Sequence, residues 1–134
     1  MDVGGDGTIK ELGRFKESPG HPSRPNTGAS STAVMFAPGK ILQVGGNSFN
    51  STFESDASAA ASIIDMSNFG SGSVTVRDID PIERGRHYLD SVVLPDGKVL
   101  INGGSTYFMT DGPNATKKVE IWDPVTEKWT TGPA

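Results

Sequence analysis

The chain repeats itself. Shifted by 58 positions, Gly39-Lys40-Ile41-Leu42-Gln43-Val44-Gly45-Gly46 lies over Gly97-Lys98-Val99-Leu100-Ile101-Asn102-Gly103-Gly104 without a gap. An apolar stretch precedes each block, Ala33-Val34-Met35-Phe36 over Ser91-Val92-Val93-Leu94. At the same offset behind them, Ala61-Ser62-Ile63-Ile64-Asp65 lies over Val119-Glu120-Ile121-Trp122-Asp123. A register kept through all three stretches, glycines and aspartate included, marks a repeated supersecondary unit. Units of this kind stack, because one alone cannot bury its apolar faces.

Each unit reads as four short strands. In the second copy these are expected near 90–94, 98–102, 117–122 and 128–131; in the first, near 32–37, 40–44, 61–65 and 74–79. Asp96-Gly97 suits a tight turn that needs positive φ. The second strand of each copy is a nearly continuous apolar run, as expected of an inner strand. Gly45-Gly46 and Gly103-Gly104 end these strands where the backbone must pass with no Cβ in the way. The third and fourth strands alternate better, as outer strands do. The first copy has a longer outer hairpin, Ser67 to Ser73, and no tryptophan to match Trp129. Ser55 to Ser62 is Ala-rich enough to suggest a helix, but the repeat assigns its end to a strand. The expected architecture is all-β, with a leading segment at 1–28 and one unit each at 29–80 and 81–134.

Composition agrees with this plan. The 17 glycines and 9 prolines provide many turns, and only 34% of residues are apolar. A net charge of −4 with scattered Lys and Arg argues against nucleic acid as a partner. No apolar run approaches the ~20 residues that span a bilayer, so no membrane segment is expected. Met1 to Gly5 has neither the charged nor the apolar region of a signal peptide. With no cysteine, disulfides, thiolate nucleophiles and Cys-ligated metals are excluded. The sequons at Asn50 and Asn114 are glycosylation candidates in loop-like stretches and tilt the compartment toward extracellular.

The Gly-Gly doublets, together with Trp122-Asp123-Pro124-Val125-Thr126-Glu127-Lys128-Trp129, resemble the kelch repeat. Arg86-His87-Tyr88, then Leu94-Pro95-Asp96-Gly97-Lys98-Val99-Leu100 and Gly103-Gly104, resemble the central domain of the galactose oxidase and glyoxal oxidase family. The resemblance runs from Thr32 to Ala134. It implies two four-stranded blades of a β-propeller that has seven in that family. Two blades cannot close a ring, so the implied partners are other blades or further copies of the chain. The same family holds copper with two tyrosines and two histidines, one tyrosine being cross-linked to a cysteine. One register places Tyr88 at that tyrosine, Ala37 at the cysteine and Thr106 at a stacking tryptophan; a second pair of blades fits equally. In neither register does a Tyr-His ligand pair arise, so the expectation is no metal in this chain, and copper only if a parent oxidase carries the ligands elsewhere.

The candidate residues carry two readings each. Arg84, Arg86, His87 and Tyr88 form the one dense polar and aromatic cluster, and a kelch propeller places the stretch before a blade's first strand near the channel mouth. The cluster is either a lip for an anionic or hydroxylated ligand, or structural, with Arg86 satisfying backbone carbonyls between blades and Tyr88 packing. His87 is a ligand or base in the first reading and a strand-edge side chain in the second. His21 lies in a Pro/Ser/Gly-rich stretch, where the structural reading is stronger. Asp78, Asp80 and Glu83 could face a Ca²⁺, yet match no calcium loop and read better as a solvated connection. Gly4-Gly5-Asp6-Gly7 is a turn rather than a phosphate cradle. Trp122 and Trp129 could stack on sugar, or pack between blades. The functional expectation is a non-catalytic scaffold or binding module for a protein or carbohydrate. Its alternative is a portion of a copper-radical oxidase, and a third reading is self-assembly of the two-unit chain.

Overall fold

The computed structural model describes residues 10–18, 21–46, 57–107 and 115–132. Ten strands are found there: β1 (Glu17–Ser18), β2 (His21–Pro25), β3 (Thr32–Ala37), β4 (Lys40–Val44), β5 (Ala61–Asp65), β6 (Thr75–Ile79), β7 (Asp90–Val93), β8 (Val99–Asn102), β9 (Glu120–Asp123) and β10 (Lys128–Thr131). A short 3₁₀ turn, Phe69–Ser71, lies in the long hairpin of the first unit. β3-β4-β5-β6 and β7-β8-β9-β10 form two four-stranded antiparallel sheets, each a simple meander, and β1-β2 is a separate two-stranded ribbon. No described helix is long and apolar enough to cross a membrane.

The registers follow the repeat. Leu42 sits opposite Val34 on one side and Ile63 on the other; Leu100 sits opposite Val92 and Ile121. Thr32 Oγ1 and Ser91 Oγ, at the head of the two first strands, are 2.8 Å apart and tie the sheets together there. The inner strands alternate in burial instead of being covered on both faces: in β4 Leu42 and Val44 are fully buried, and in β8 Val99 and Ile101 are, with partly exposed residues between. The third strand of the second unit is shorter than expected. It begins at Glu120: the Val119 carbonyl accepts the Gly132 amide at 2.8 Å just beyond β10, while Lys117 and Lys118 line a cleft.

One core joins the sheets. Leu42, Val44, Ala61 and Ile63 come from the first, Val99, Ile101 and Trp122 from the second. Ile82 and Leu89, from the connection between β6 and β7, complete it at 3% and 4% exposure. The Phe36 and Trp122 rings meet edge to face across the blades, with centroids 4.9 Å apart. Outside the core, Trp129 donates its indole N–H to Asp80 O at 2.8 Å, and Lys128 pairs with Asp80 at 2.6 Å.

Candidate functional site: the seam between the blades

Ile82 to Leu89 leads into the second blade and lies against the first. Its backbone is bonded there like an extra strand: Ile82 N donates to Ala59 O, Arg86 N to Ser58 O, and Gly46 N to Arg86 O. This stretch carries the whole polar and aromatic cluster singled out in the sequence, and its fixed backbone decides where each side chain goes.

Arg86 is 1% exposed. Its Nη2 donates to Glu120 Oε2 at 2.6 Å, and its Nη1 reaches Gly103 O at 3.4 Å. The other oxygen of Glu120 accepts the Glu83 amide at 2.8 Å. A buried ion pair recovers its desolvation cost only when further hydrogen bonds satisfy both partners, and this pair has them on the carboxylate side. Arg86 Nε has no partner among the described residues.

His87 is fully buried and its Nδ1 lies 2.9 Å from Ser30 Oγ. Its peptide pairs with Ser105 in both directions, at 2.7 and 3.1 Å. Tyr88 is 42% exposed, at φ 54, a conformation it shares with Ser30 at φ 65, its counterpart in the repeat. The Tyr88 amide donates to Ser30 O at 3.0 Å. Arg84 is open to a cleft of about 330 Å³, which Arg86, Ala115, Thr116, Lys117 and Lys118 also line. The sequence cluster is thus split: Arg86 and His87 face inward into the seam, whereas Arg84 and Tyr88 are accessible.

The paired glycines hold the seam from the other side. Gly46 and Gly104 stand at φ 87 and 85. A Cβ on Gly46 would come within 2.9 Å of Ala29 O, and one on Gly104 would overlap His87 O, the same contact one repeat later. Gly45 faces the next blade, its Cβ position lying 2.8 Å from Arg86 O. Gly103 stands at φ 69 in open space. Trp122 is fully buried between blades, and Trp129 is partly buried beside it, with ring centroids 6.4 Å apart.

The carboxylates at the end of β6 and just beyond it have protein partners. Asp78 accepts from Asn26 Nδ2 and from Ser62 Oγ, and Glu83 Oε2 accepts from Thr131 Oγ1. No group of three metal-ligating side chains occurs among the described residues. Asn50, Asn114 and Gly4 to Gly7 lie outside the described residues, and of His21 only its backbone place at the start of β2 is described.

Sequence reasoning passed over two residues that matter here. Glu120 shares the inward face of β9 with Trp122. That parity was readable, and a carboxylate on a core face demands a cation. Gly85 is the other: a Cβ there would overlap Ala57 O of the first blade. Nothing local signals it, since it ends no strand and its φ is ordinary.

Residues 91–134 match the family model of the Kelch motif. The comparison with curated proteins gave no match. Among solved structures, the chain is similar to a fungal alcohol oxidase of the AA5 family in complex with copper, at a TM-score of 0.69 and 22% identity. The likeness covers 84% of this chain and 23% of that one, so the chain spans about a quarter of the relative's length. The fold is that of kelch-type propeller blades, as in that oxidase.

Proposed function

We propose that this pair of kelch-type blades, at 29–80 and 81–134, is a non-catalytic scaffold or binding module. It offers its blade loops to a protein or carbohydrate and its flanks to other blades or further copies. The observation that carries this reading is the fate of the polar cluster. Arg86 is held by Glu120 and His87 lies buried against Ser30, so both side chains with the chemistry for catalysis serve the seam. Arg84 and Tyr88 remain as the accessible edge for a ligand.

The described residues do not fit a copper centre. The chain has two histidines and no cysteine. The His87 ring is buried, its Nδ1 engaged by a hydroxyl, and the Tyr88 ring centroid is 6.3 Å away at 45°. Ala37, opposite Lys40 beside a register shift, offers no sulfur for a tyrosine cross-link. A second reading is favoured by one observation, the fold likeness to a copper-bound oxidase four times the length of the match. In that reading the chain is a portion of a galactose or glyoxal oxidase-like enzyme whose copper ligands lie on other blades.

Copper titration followed by EPR tests the first reading, with peroxide release assayed on galactose and on aldehydes. The expected outcome is neither a stoichiometric tetragonal Cu(II) signal nor turnover. Either would overturn it.

A further inference from the structure

We infer that Asp96-Gly97, at the tip of the β7–β8 hairpin, is a site of spontaneous isomerisation to isoaspartate, a modification that ages the second blade and spares the first. The reaction favours an Asp or Asn directly before a glycine, where no Cβ hinders approach to the amide. Two such pairs lie among the described residues, Asp96-Gly97 and Asn102-Gly103. The fold leaves one of them open. Asp96 stands on a short hairpin loop in which Gly97 N donates to Leu94 O at 2.9 Å and Leu94 N to Lys98 O at 2.7 Å, with Gly97 at φ 87. Its side chain is 56% exposed, and a Cβ on Gly97 would meet nothing within 4 Å. Asp96 Oδ1 accepts the Lys98 amide at 3.1 Å, which folds the carboxyl back over the Gly97 peptide. In the first blade Pro38 takes the place of Asp96, so Pro38-Gly39 has no carboxyl to react. Asn102-Gly103 is held on both sides. Asn102 is half-buried at the end of β8, opposite Asp90. The chain beyond it is fixed to the seam: Gly103 O lies 3.4 Å from Arg86 Nη1, and Ser105 pairs with His87 in both directions.

In the step, Gly97 N attacks Cγ of the protonated Asp96 carboxyl. The N–Cγ bond forms, the carboxyl hydroxyl leaves as water with the amide proton, and a five-membered succinimide closes. Closure withdraws Gly97 N from Leu94 O, a single hydrogen bond at an exposed tip. Water then adds to one ring carbonyl. Opening at Cγ restores aspartate. Opening at the main-chain carbonyl carbon leaves the chain running through Cβ and Cγ, with that carbon as a free carboxylate. The sum is an isomerisation: one water leaves, one enters, and nothing is oxidised or reduced. The main chain gains a methylene in a loop whose length sets the register of β7 on β8. Val99 and Ile101 of β8 are fully buried, so the distortion falls on the shared core.

The test incubates the folded full chain and a synthetic peptide of residues 87–107 side by side in mildly acidic buffer made with heavy-oxygen water. Tryptic fragments are then followed by retention and mass spectrometry. Fragment 87–98, released after Arg86 and Lys98, is expected to take up heavy oxygen and split into two isomers in chain and peptide alike. The two rates should agree within about threefold, since an exposed loop tip opens at almost no cost. Asn102 is expected to lose ammonia about tenfold more slowly in the chain than in the peptide, or slower still, because it reacts only when β8 opens. Asp96→Glu keeps the carboxylate but would have to close a six-membered ring, so it should remove the isomer. The purified isomerised chain should unfold at a lower denaturant concentration than the parent. The proposal is overturned if folding protects Asp96 as strongly as Asn102, if the isomer survives in Asp96→Glu, or if the isomerised chain is as stable as the parent.

Discussion

At the scale of single residues, two different forces select glycine in this chain. Gly72, at φ 79, has nothing within 4 Å of a Cβ, so a side chain there meets only the left-handed backbone strain of about 1–2 kcal/mol. Gly104 has that strain and a carbonyl in the way, and Gly46 repeats the arrangement against Ser31 N at 2.7 Å and Ala29 O. Gly104→Val and Gly46→Val should each lower stability by more than about 2 kcal/mol. Gly72→Ala should cost only that strain, about 1–2 kcal/mol, and less than either valine variant. Denaturant melts of the three variants decide the matter; equal losses would mean that backbone strain alone sets the requirement. Gly85 adds the converse case, a glycine required by close approach with no unusual φ. The doublets were legible because they stop apolar strands at the same offset in both copies. Gly85 was not, because its neighbour lies on another blade.

Among the elements, the strands were the most readable part. β3, β4, β5 and β10 fall where alternation, turn residues and the repeat placed them. β9 starts later than the repeat suggested, since a strand needs a neighbour to bond along its length, and Lys117 and Lys118 line a cleft. The connection Ile82 to Leu89 was the least readable. Taken alone it is a polar loop with two apolar residues; in the fold it is pinned between sheets and closed by Arg86–Glu120, with side chains 2% and 1% exposed. Breaking one partner of such a pair leaves a buried charge, so Glu120→Ala should destabilise by about 3–5 kcal/mol. Adding Arg86→Met to it should recover much of the loss, since the stranded cation is then gone. Thermal or denaturant unfolding of both variants measures this. A double variant as unstable as the single one would show that the pair matters through the Glu83 amide it caps rather than through charge.

For the molecule as a whole, the two blades share one core rather than having one each. Ile82 and Leu89 lie between them, and Trp122 takes part of its cover from Phe36. Repeat units of this kind draw stability from their neighbours. Residues 81–134 expressed alone should therefore lack the dispersed amide spectrum of a folded sheet under conditions where the full chain shows it. A cooperative unfolding transition in the isolated piece would contradict the shared core.

By itself, the sequence determined the all-β class, the two units, their strands and the glycines that end them. These depend on periodicity and turn chemistry, which act between residues near one another in the chain, and the repeat states them twice. The absence of cysteine likewise ruled out a thioether-modified tyrosine within this chain. Only the tertiary structure decided what the polar cluster does. Arg86 finds its carboxylate 34 positions away and His87 its hydroxyl 57 positions away. Such partners are chosen by how one sheet lies on the next, and a buried charge or imidazole takes whichever group that packing brings within reach.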